Sequence, residues 1–287
     1  MKTSLDCIPC FFKQALDAAI LAGANKSTQK KILIALADEI RKFDLRACPT
    51  EMGRSLYALV IRRTGNPDPF KKIKQESNKF ALRLYPLLKK KVAQSQDRLL
   101  GAIELAIAGN IIDYGVKHLN INREIDKIFV EEDEIIHRES KRLFNYPAFK
   151  KAIKPAKSLL YIGDNAGEIV FDRILIEELK GKKITFVVRG KPIINDVLKE
   201  DAYFCGINKL ARVISSGSDA PGTILKFCTP KFRRIFQQAE LIVSKGQGNF
   251  EALSNQKRPI FFLFRAKCPV VTKHLNCKLG DIILTKT

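Results

Sequence analysis

The chain has 287 residues, of which 46% are hydrophobic, so it can bury the core of one or two globular domains. Its 51 Lys and Arg residues outnumber 30 Asp and Glu residues, and the resulting charge of +21 favours anionic partners without naming one. No apolar run approaches the roughly 18 residues of a membrane-spanning helix, and seven scattered cysteines do not form a disulfide framework. We therefore expect a globular protein of the cytoplasm with no membrane partner, and the oligomeric state stays open.

The first half of the chain has a helical pattern. Apolar residues recur every three or four positions from Ile8 to about Lys150, in segments such as FFKQALDAAILAG and KKILIALADEIRKF. This spacing is typical of amphipathic helices. Gly23, Asn25 and the run RTGNPDP at positions 63–69 separate them. The pattern predicts a helical domain over residues 1–150.

The second half of the chain has a strand pattern. Short runs rich in β-branched and aromatic residues appear there: SLLYIG, KITFVV, ARVIS, ELIVS, PIFFLF and DIILT. Helical or loop segments separate several of them, and this alternation indicates a largely parallel sheet covered on both faces. The fold class predicted is α/β, with residues 151–287 forming the sheet domain.

Polar or glycine-rich loops follow the first four predicted strands: GDNAGE, RGKPIINDV, SSGSDAPGT and SKGQGNFE. The carboxyl ends of parallel strands meet at one edge of a sheet, where α/β proteins bind ligands. Neither a G-x-G-x-x-G turn nor an acidic residue at the end of the second strand is present, which disfavours nicotinamide, flavin and S-adenosylmethionine sites. The first loop also lacks the G-x-x-x-x-G-K-[ST] run of a nucleotide-binding P-loop.

Asp164 and Asn165, side by side after the first strand, favour a hard divalent cation. Magnesium and related ions take oxygen ligands, commonly carboxylates together with water and substrate phosphate. Asp196 in the second loop is the natural second carboxylate. An alternative stays open at this point, because Asp and Asn are also favoured caps for the helix that starts near Glu168.

The fourth loop is suited to an anion. Gly246 and Gly248 allow backbone N–H groups to approach a phosphate, and Lys245 adds a charge beside them. In the third loop, Ser216 and Gly217 offer further donors. An ordinary strand-to-helix turn would carry the same residues.

Six motifs in order resemble the domain-of-unknown-function 89 family, the damage-control phosphatases, in the archaeal and bacterial branch with an N-terminal Cys-x-x-Cys. They are CIPC, AGNIIDYG, GDNAGEIVFD, RGKPIINDV, SSGSDAPGT and SKGQGNFEAL. The resemblance covers nearly the whole chain and implies a helical N-terminal part followed by a Rossmann-like three-layer α/β/α domain. It also implies metal-dependent hydrolysis of phosphate monoesters of small metabolites, such as sugar phosphates or damaged phosphometabolites.

The resemblance assigns residues as well. Asp164, Asn165 and Asp196 are the implied metal ligands, for Mg, Mn, Co or Ni, and Lys245 is the implied phosphate contact among the catalytic residues. Apart from these assignments, the expected substrate-binding residues are Asn110, Asp113, Glu168, Arg189, Ser216, Gly217 and Gly246. Asn110 and Asp113 could equally form a polar patch where a helix meets the sheet. Some members of the family have been assigned a carboxyl methyltransferase activity, so that alternative stays open.

Two further features remain less defined. Cys7 and Cys10 flank Pro9 at an expected helix start, where they could act with Cys48 as redox or soft-metal groups, or be buried apolar residues.

The basic charge also allows a nucleic-acid-binding protein without chemistry. We rank that class last, because the chain has no Trp and its 18 Phe residues lie mostly in apolar patterns.

Overall fold

A computed structural model describes residues 1–109 and 143–287. Within them, the helices are α1 Cys7–Leu21, α2 Lys26–Lys42, α3 Pro49–Thr64, α4 Lys71–Gln94, α5 Arg98–Ala108, α6 Tyr146–Ile153, α7 Glu168–Glu178, α8 Lys199–Phe204, α9 Pro230–Gln238, α10 Gln247–Leu253 and α11 Pro269–Leu275. The strands are β1 Ser158–Ile162, β2 Lys183–Val188, β3 Arg212–Ser215, β4 Ile242–Lys245, β5 Ile260–Arg265 and β6 Ile282–Lys286. The predicted α/β fold is confirmed.

The six strands form one sheet in the order β3-β2-β1-β4-β5-β6. Strands β1 to β5 pair in parallel, while β6 runs antiparallel to β5. The chain leaves β1 toward β2 and β3 on one side, and later returns to place β4 and β5 on the other. The strand order therefore reverses between β1 and β4, which is where open α/β sheets form a crevice for ligands.

Both faces of the sheet are buried, in agreement with the nearly continuous apolar composition of its strands. Along β1, Leu159 and Tyr161 enter the core under α4, α5 and α7. Leu160 and Ile162 enter the opposite core, under α9, α10 and α11. Alternate side chains of a strand point to opposite faces, so one short strand fills both cores.

The N-terminal helices pack in two different ways. Helices α1, α2 and α3 form a core of their own around residues such as Phe11, Leu36 and Leu56. Helices α4 and α5 instead share the core of the sheet, where Leu88 and Ile103 are fully buried. The division of the chain near residue 150 stays a prediction, and the core of the sheet extends across it.

Among the helices of residues 1–109 and 143–287, none combines the length and the apolar composition that a membrane span requires.

Candidate metal and phosphate site

The predicted site residues lie at the crevice between β1 and β4. Asp164 and Asn165 follow β1, Asp196 lies in the loop after β2, and Lys245 ends β4. The Val197 N–H donates to the Asp164 carbonyl at 2.7 Å, and the bridge between Asn165 and Asp196 joins the same two loops. The parallel sheet thereby brings together the three residues expected to bind a metal.

These three side chains line a cleft of about 300 Å³. They are largely buried: Asp164 and Asn165 are each 8% exposed, and Asp196 is 2% exposed. Helices α1 and α3 supply much of the opposite wall, and further residues come from the loops of the sheet. The other lining residues are Phe11, Gln14, Pro49, Thr50, Gly53, Ile194, Asn195, Pro221, Gln247, Gly248, Glu251 and Lys267.

Asn165 is held with its amide nitrogen toward carboxylates. Its Nδ2 donates to Asp164 Oδ2 at 3.0 Å and to Glu168 Oε2 at 3.2 Å. Both N–H groups are thus used, and the carbonyl Oδ1 is the atom left to act as a ligand. Helix α7 has Gly167 as its N-cap residue and receives no side-chain capping bond. The helix-cap alternative for Asp164 and Asn165 is therefore wrong.

Lys245, the last residue of β4, is fully buried. Its Nζ donates to Glu168 Oε1, to Asp172 Oδ1 at 2.8 Å and to the Ala106 carbonyl at 2.6 Å. Burial alone would lower the pKa of the ammonium, but the Asp172 and Glu168 carboxylates raise it above its ordinary value. All three of its N–H groups are engaged by the protein, so the predicted phosphate contact would require one of these bonds to be exchanged.

Asp172 connects this lysine to the sheet. Its Oδ1 also accepts the Tyr161 hydroxyl at 2.8 Å. Burial raises the pKa of Asp172 to about 6, against the lowering effect of Lys245. A chain of buried bonds therefore runs from Tyr161 through Asp172, Lys245 and Glu168 to Asn165, and it fixes the rotamer of the asparagine.

Arg189 supports the two aspartates from behind the cleft. It is 1% exposed, and its Nε donates to Asp196 Oδ2 at 2.5 Å while its Nη2 lies 3.6 Å from Asp164 Oδ1. Further bonds reach Thr223 Oγ1 at 3.0 Å and Asn249 Oδ1 at 3.2 Å. Arg189, predicted to bind substrate, thus has protein partners on each of its three guanidinium nitrogens.

The charge of this cluster matches a divalent cation. Four buried carboxylates, Asp164, Glu168, Asp172 and Asp196, face two buried cations, Arg189 and Lys245. Burial, together with Glu168 and Asp196, raises the pKa of Asp164 well above its ordinary value. A metal ion would reverse that shift by stabilising the carboxylate.

The available donors also fit such an ion, because the set comprises two carboxylates and one amide carbonyl, all oxygen ligands. No group of three or more His, Cys, Asp and Glu residues in the described ranges is arranged to hold a metal by itself. A cation at Asp164, Asn165 and Asp196 would therefore depend on the amide and on water or substrate oxygens. Cys7, Cys10 and Cys48 form no disulfide, and their redox or metal role stays a prediction.

Several predicted substrate contacts have structural partners instead. Ser216 is buried, and its Oγ donates to the Val188 carbonyl at 3.0 Å. Gly217 lies against the loop after β2, where a Cβ on Gly190 would meet its backbone at 2.6 Å. Their substrate contacts, like those of Glu168 and Gly246, stay predictions. Asn110 and Asp113 lie outside the described residues.

The cleft and its surroundings contain further residues that the sequence patterns did not predict. Asn249 is fully buried and bonds both Arg189 and the Gly163 carbonyl. Its position in SKGQGNFE was the available signal. Glu251, two residues later, lines the cleft, and burial raises its pKa to about 7. Lys267 lines the cleft too and lowers the pKa of Asp164, but no sequence motif marks it.

The strand order is that of a Rossmann-like α/β protein, and a cleft lined by carboxylates lies where this order reverses. The chain matches the family model described as Damage-control phosphatase ARMT1-like domain over residues 3–283. It belongs to that family, as the resemblance of its motifs implied.

Relatives in sequence and structure agree with this assignment. A damage-control phosphatase from Pyrococcus horikoshii is 33% identical over 99% of this chain and 97% of its own length. A damage-control phosphatase from Archaeoglobus fulgidus is 33% identical over 82% of this chain and 80% of its own. The crystal structure of a DUF89 family protein from Pyrococcus horikoshii superimposes with a TM-score of 0.88 at 32% identity, covering 100% of this chain and 99% of that one.

A more distant relative carries a specific substrate in its name. The 4'-phosphopantetheine phosphatase of Mus musculus is 25% identical over 77% of this chain, which corresponds to 31% of the mouse protein.

Proposed function

We propose that this protein is a metal-dependent phosphatase that hydrolyses phosphate monoesters of small metabolites. The convergence of Asp164, Asn165 and Asp196 on one buried cleft, at the point where the strand order reverses, is the observation that carries the proposal. The names of the archaeal relatives support the same reaction class.

Each residue has a distinct part in this chemistry. Asp164 and Asp196 supply negative charge to a divalent cation, and Asn165 adds a neutral oxygen. A divalent cation held by these residues would neutralise phosphoryl oxygens and polarise the phosphorus centre. Lys267, which lines the same cleft, is placed to attract the remaining negative charge of a phosphate.

The buried network holds the side chains of Asp196 and Asn165 in fixed positions while substrate enters and product leaves. Arg189 fixes Asp196, and the Lys245–Glu168 pair fixes Asn165. Preorganised ligands need no rearrangement at the moment of reaction, and this is where electrostatic catalysis gains most of its effect. A cleft of about 300 Å³ is suited to a small phosphorylated metabolite, in keeping with the small-molecule substrate named for the mouse relative.

A panel of phosphate esters with Mg²⁺, Mn²⁺, Co²⁺ or Ni²⁺ tests the proposal. We expect hydrolysis that requires added metal and disappears with EDTA. The Asp164→Asn variant, purified in the same way, should be nearly inactive and so controls for contaminating phosphatases. Equal activity in the variant, or activity that survives EDTA, would contradict the assignment.

The two alternative functions are separated by binding measurements. Calorimetric titration with S-adenosylmethionine tests the carboxyl methyltransferase, and a salt-dependent mobility shift with RNA or DNA tests the nucleic-acid-binding protein. We expect neither to show tight binding. The cytoplasmic location stays a prediction from composition.

A further inference from the structure

The loop that carries Asp164 and Asn165 rests on helix α4 of the N-terminal region. The Gly167 N–H donates to Asn78 Oδ1 at 2.7 Å. Gly167 has φ +81°, and a Cβ there would lie 2.9 Å from the Ser77 Cβ. Glycine thus permits both the turn and the close approach, so the position of the loop depends on α4.

The same Asn78 side chain reaches the loop that carries Asp196. Its Nδ2 donates to Asp201 Oδ1 at 2.7 Å, and Asp201 Oδ2 accepts the Leu198 N–H at 2.9 Å. Leu198 lies only two residues beyond Asp196. Asn78 and Asp201 are 2% and 5% exposed, so water cannot readily replace these bonds.

We propose that Asn78 is a positioning residue that holds the two ligand-bearing loops at the separation the cation requires. This inference rests on the proposed metal site. An amide suits the task because a single short side chain accepts from one loop and donates to Asp201, the residue at the start of α8 that binds the end of the other loop. Asn78 is 2.7 Å from both Gly167 and Asp201, so a shift of α4 would move the first loop directly and the second through Asp201.

Exchanging the two side chains gives a direct test. Asn78→Asp keeps the acceptor for Gly167 but directs a second carboxylate at Asp201. Asp201→Asn keeps the acceptor for Leu198 but directs an N–H group at the Asn78 amide. The double exchange restores every bond, because the amide now on α8 can donate to the carboxylate now on α4, while each side chain still accepts its backbone N–H.

Metal affinity is the decisive quantity, and it is measured by calorimetry with Mn²⁺ in the absence of substrate. We expect each single variant to bind metal about tenfold to a hundredfold more weakly, as for other groups that orient metal ligands. The double exchange should recover most of the loss. Hydrogen exchange at the Gly167 amide should accelerate in the single variants and slow again in the double.

Leu88→Ala is the matched control on the same helix. Leu88 is fully buried in the core of the sheet and lies ten residues beyond Asn78 on the same helix, about 15 Å along its axis. This variant should lower Tm without changing metal affinity, which separates positioning from general destabilisation. Asn78→Ser, which loses reach without adding charge, provides the same comparison if the aspartate variant does not fold.

Wild-type metal affinity in both Asn78→Asp and Asn78→Ser would overturn the inference, as would a folded double exchange no better than the weaker single variant. The proposed phosphatase activity has a separate outcome. If the wild-type protein bound metal with this dependence on Asn78 but hydrolysed no ester, the positioning role would stand and the proposed reaction would fail.

Discussion

Gly246 leaves the space that the Asp164 carboxylate occupies. Its backbone has φ 81° and ψ 155°, a region that is essentially confined to glycine. A Cβ at this position would lie 1.9 Å from Asp164 Oδ2 and 2.1 Å from Asp164 Cγ. Since real Cβ atoms almost never approach other atoms within 3.0 Å, Gly246→Ala must displace the carboxylate by about 1 Å.

Two costs follow from this substitution. The backbone strain should lower the free energy of unfolding by about 1–3 kcal/mol. The displaced carboxylate can no longer meet the roughly 2.0–2.6 Å bond length of an oxygen ligand to a divalent ion. We therefore expect weaker metal binding and a loss of kcat/KM of at least about a hundredfold.

Gly181→Ala separates the two costs. Gly181 also has φ +81°, but a Cβ there would meet nothing within 4 Å. Denaturant unfolding should show destabilisation in both variants, whereas calorimetry and ester hydrolysis should show a defect only in Gly246→Ala. If Gly246→Ala folded with wild-type metal affinity and turnover, Asp164 would not be a ligand held by this contact.

Three other substitutions test the charge cluster and the cleft. Asp196→Asn should weaken metal binding and reduce phosphatase activity at least about a hundredfold, with partial recovery at higher metal concentration; an unchanged metal titration would mean that the site is misassigned. Lys245→Met leaves Glu168 and Asp172 buried without their cation and should lower the free energy of unfolding by about 3–5 kcal/mol in denaturant titrations, a loss that a surface role would not produce. Burial raises the pKa of Glu251 from its ordinary 4.5 to about 7, so the folded state holds this proton more tightly than the unfolded chain does. The stability that this carboxyl contributes is therefore fully present below about pH 4.5 and is lost, by roughly 3 kcal/mol, as pH rises to about 7; Glu251→Gln should flatten that part of the pH profile, and an unaltered slope would contradict the shift.

Local patterns were sufficient to predict the elements that hold the site. The short apolar run SLLYIG predicted a buried strand, and β1 spans Ser158–Ile162 within it. Asp164 and Asp196 could be placed together because parallel strands deliver their following loops to one edge of the sheet. The partners of Lys245 were accessible in principle, since Glu168 and Asp172 lie one turn apart on a helix that is otherwise apolar on that side.

Other features depend on contacts that leave no trace in the sequence. Asn78 meets Gly167 across 89 positions and Asp201 across 123 positions. Its place on the buried stripe of α4, with Ala81 and Leu88, marks it as a buried polar residue but does not identify its two partners. Lys245 was expected at the phosphate because it ends a strand beside two glycines. Its burial between two carboxylates is determined by the packing of α7 on the sheet, which strand and turn patterns do not specify.

The acidic cleft lies in a chain whose formal charge is +21. The positive charge of the whole protein acts over a longer distance than the negative charge of the cleft. The net positive field extends to about the Debye length, some 8–10 Å at ordinary salt, and draws phosphate esters toward the protein. Within the crevice, the excess of carboxylates would repel a phosphate unless a cation were bound there. If the proposed metal site is right, we expect ordered binding, with metal entering before substrate. We also expect the association rate of the substrate to fall as ionic strength rises.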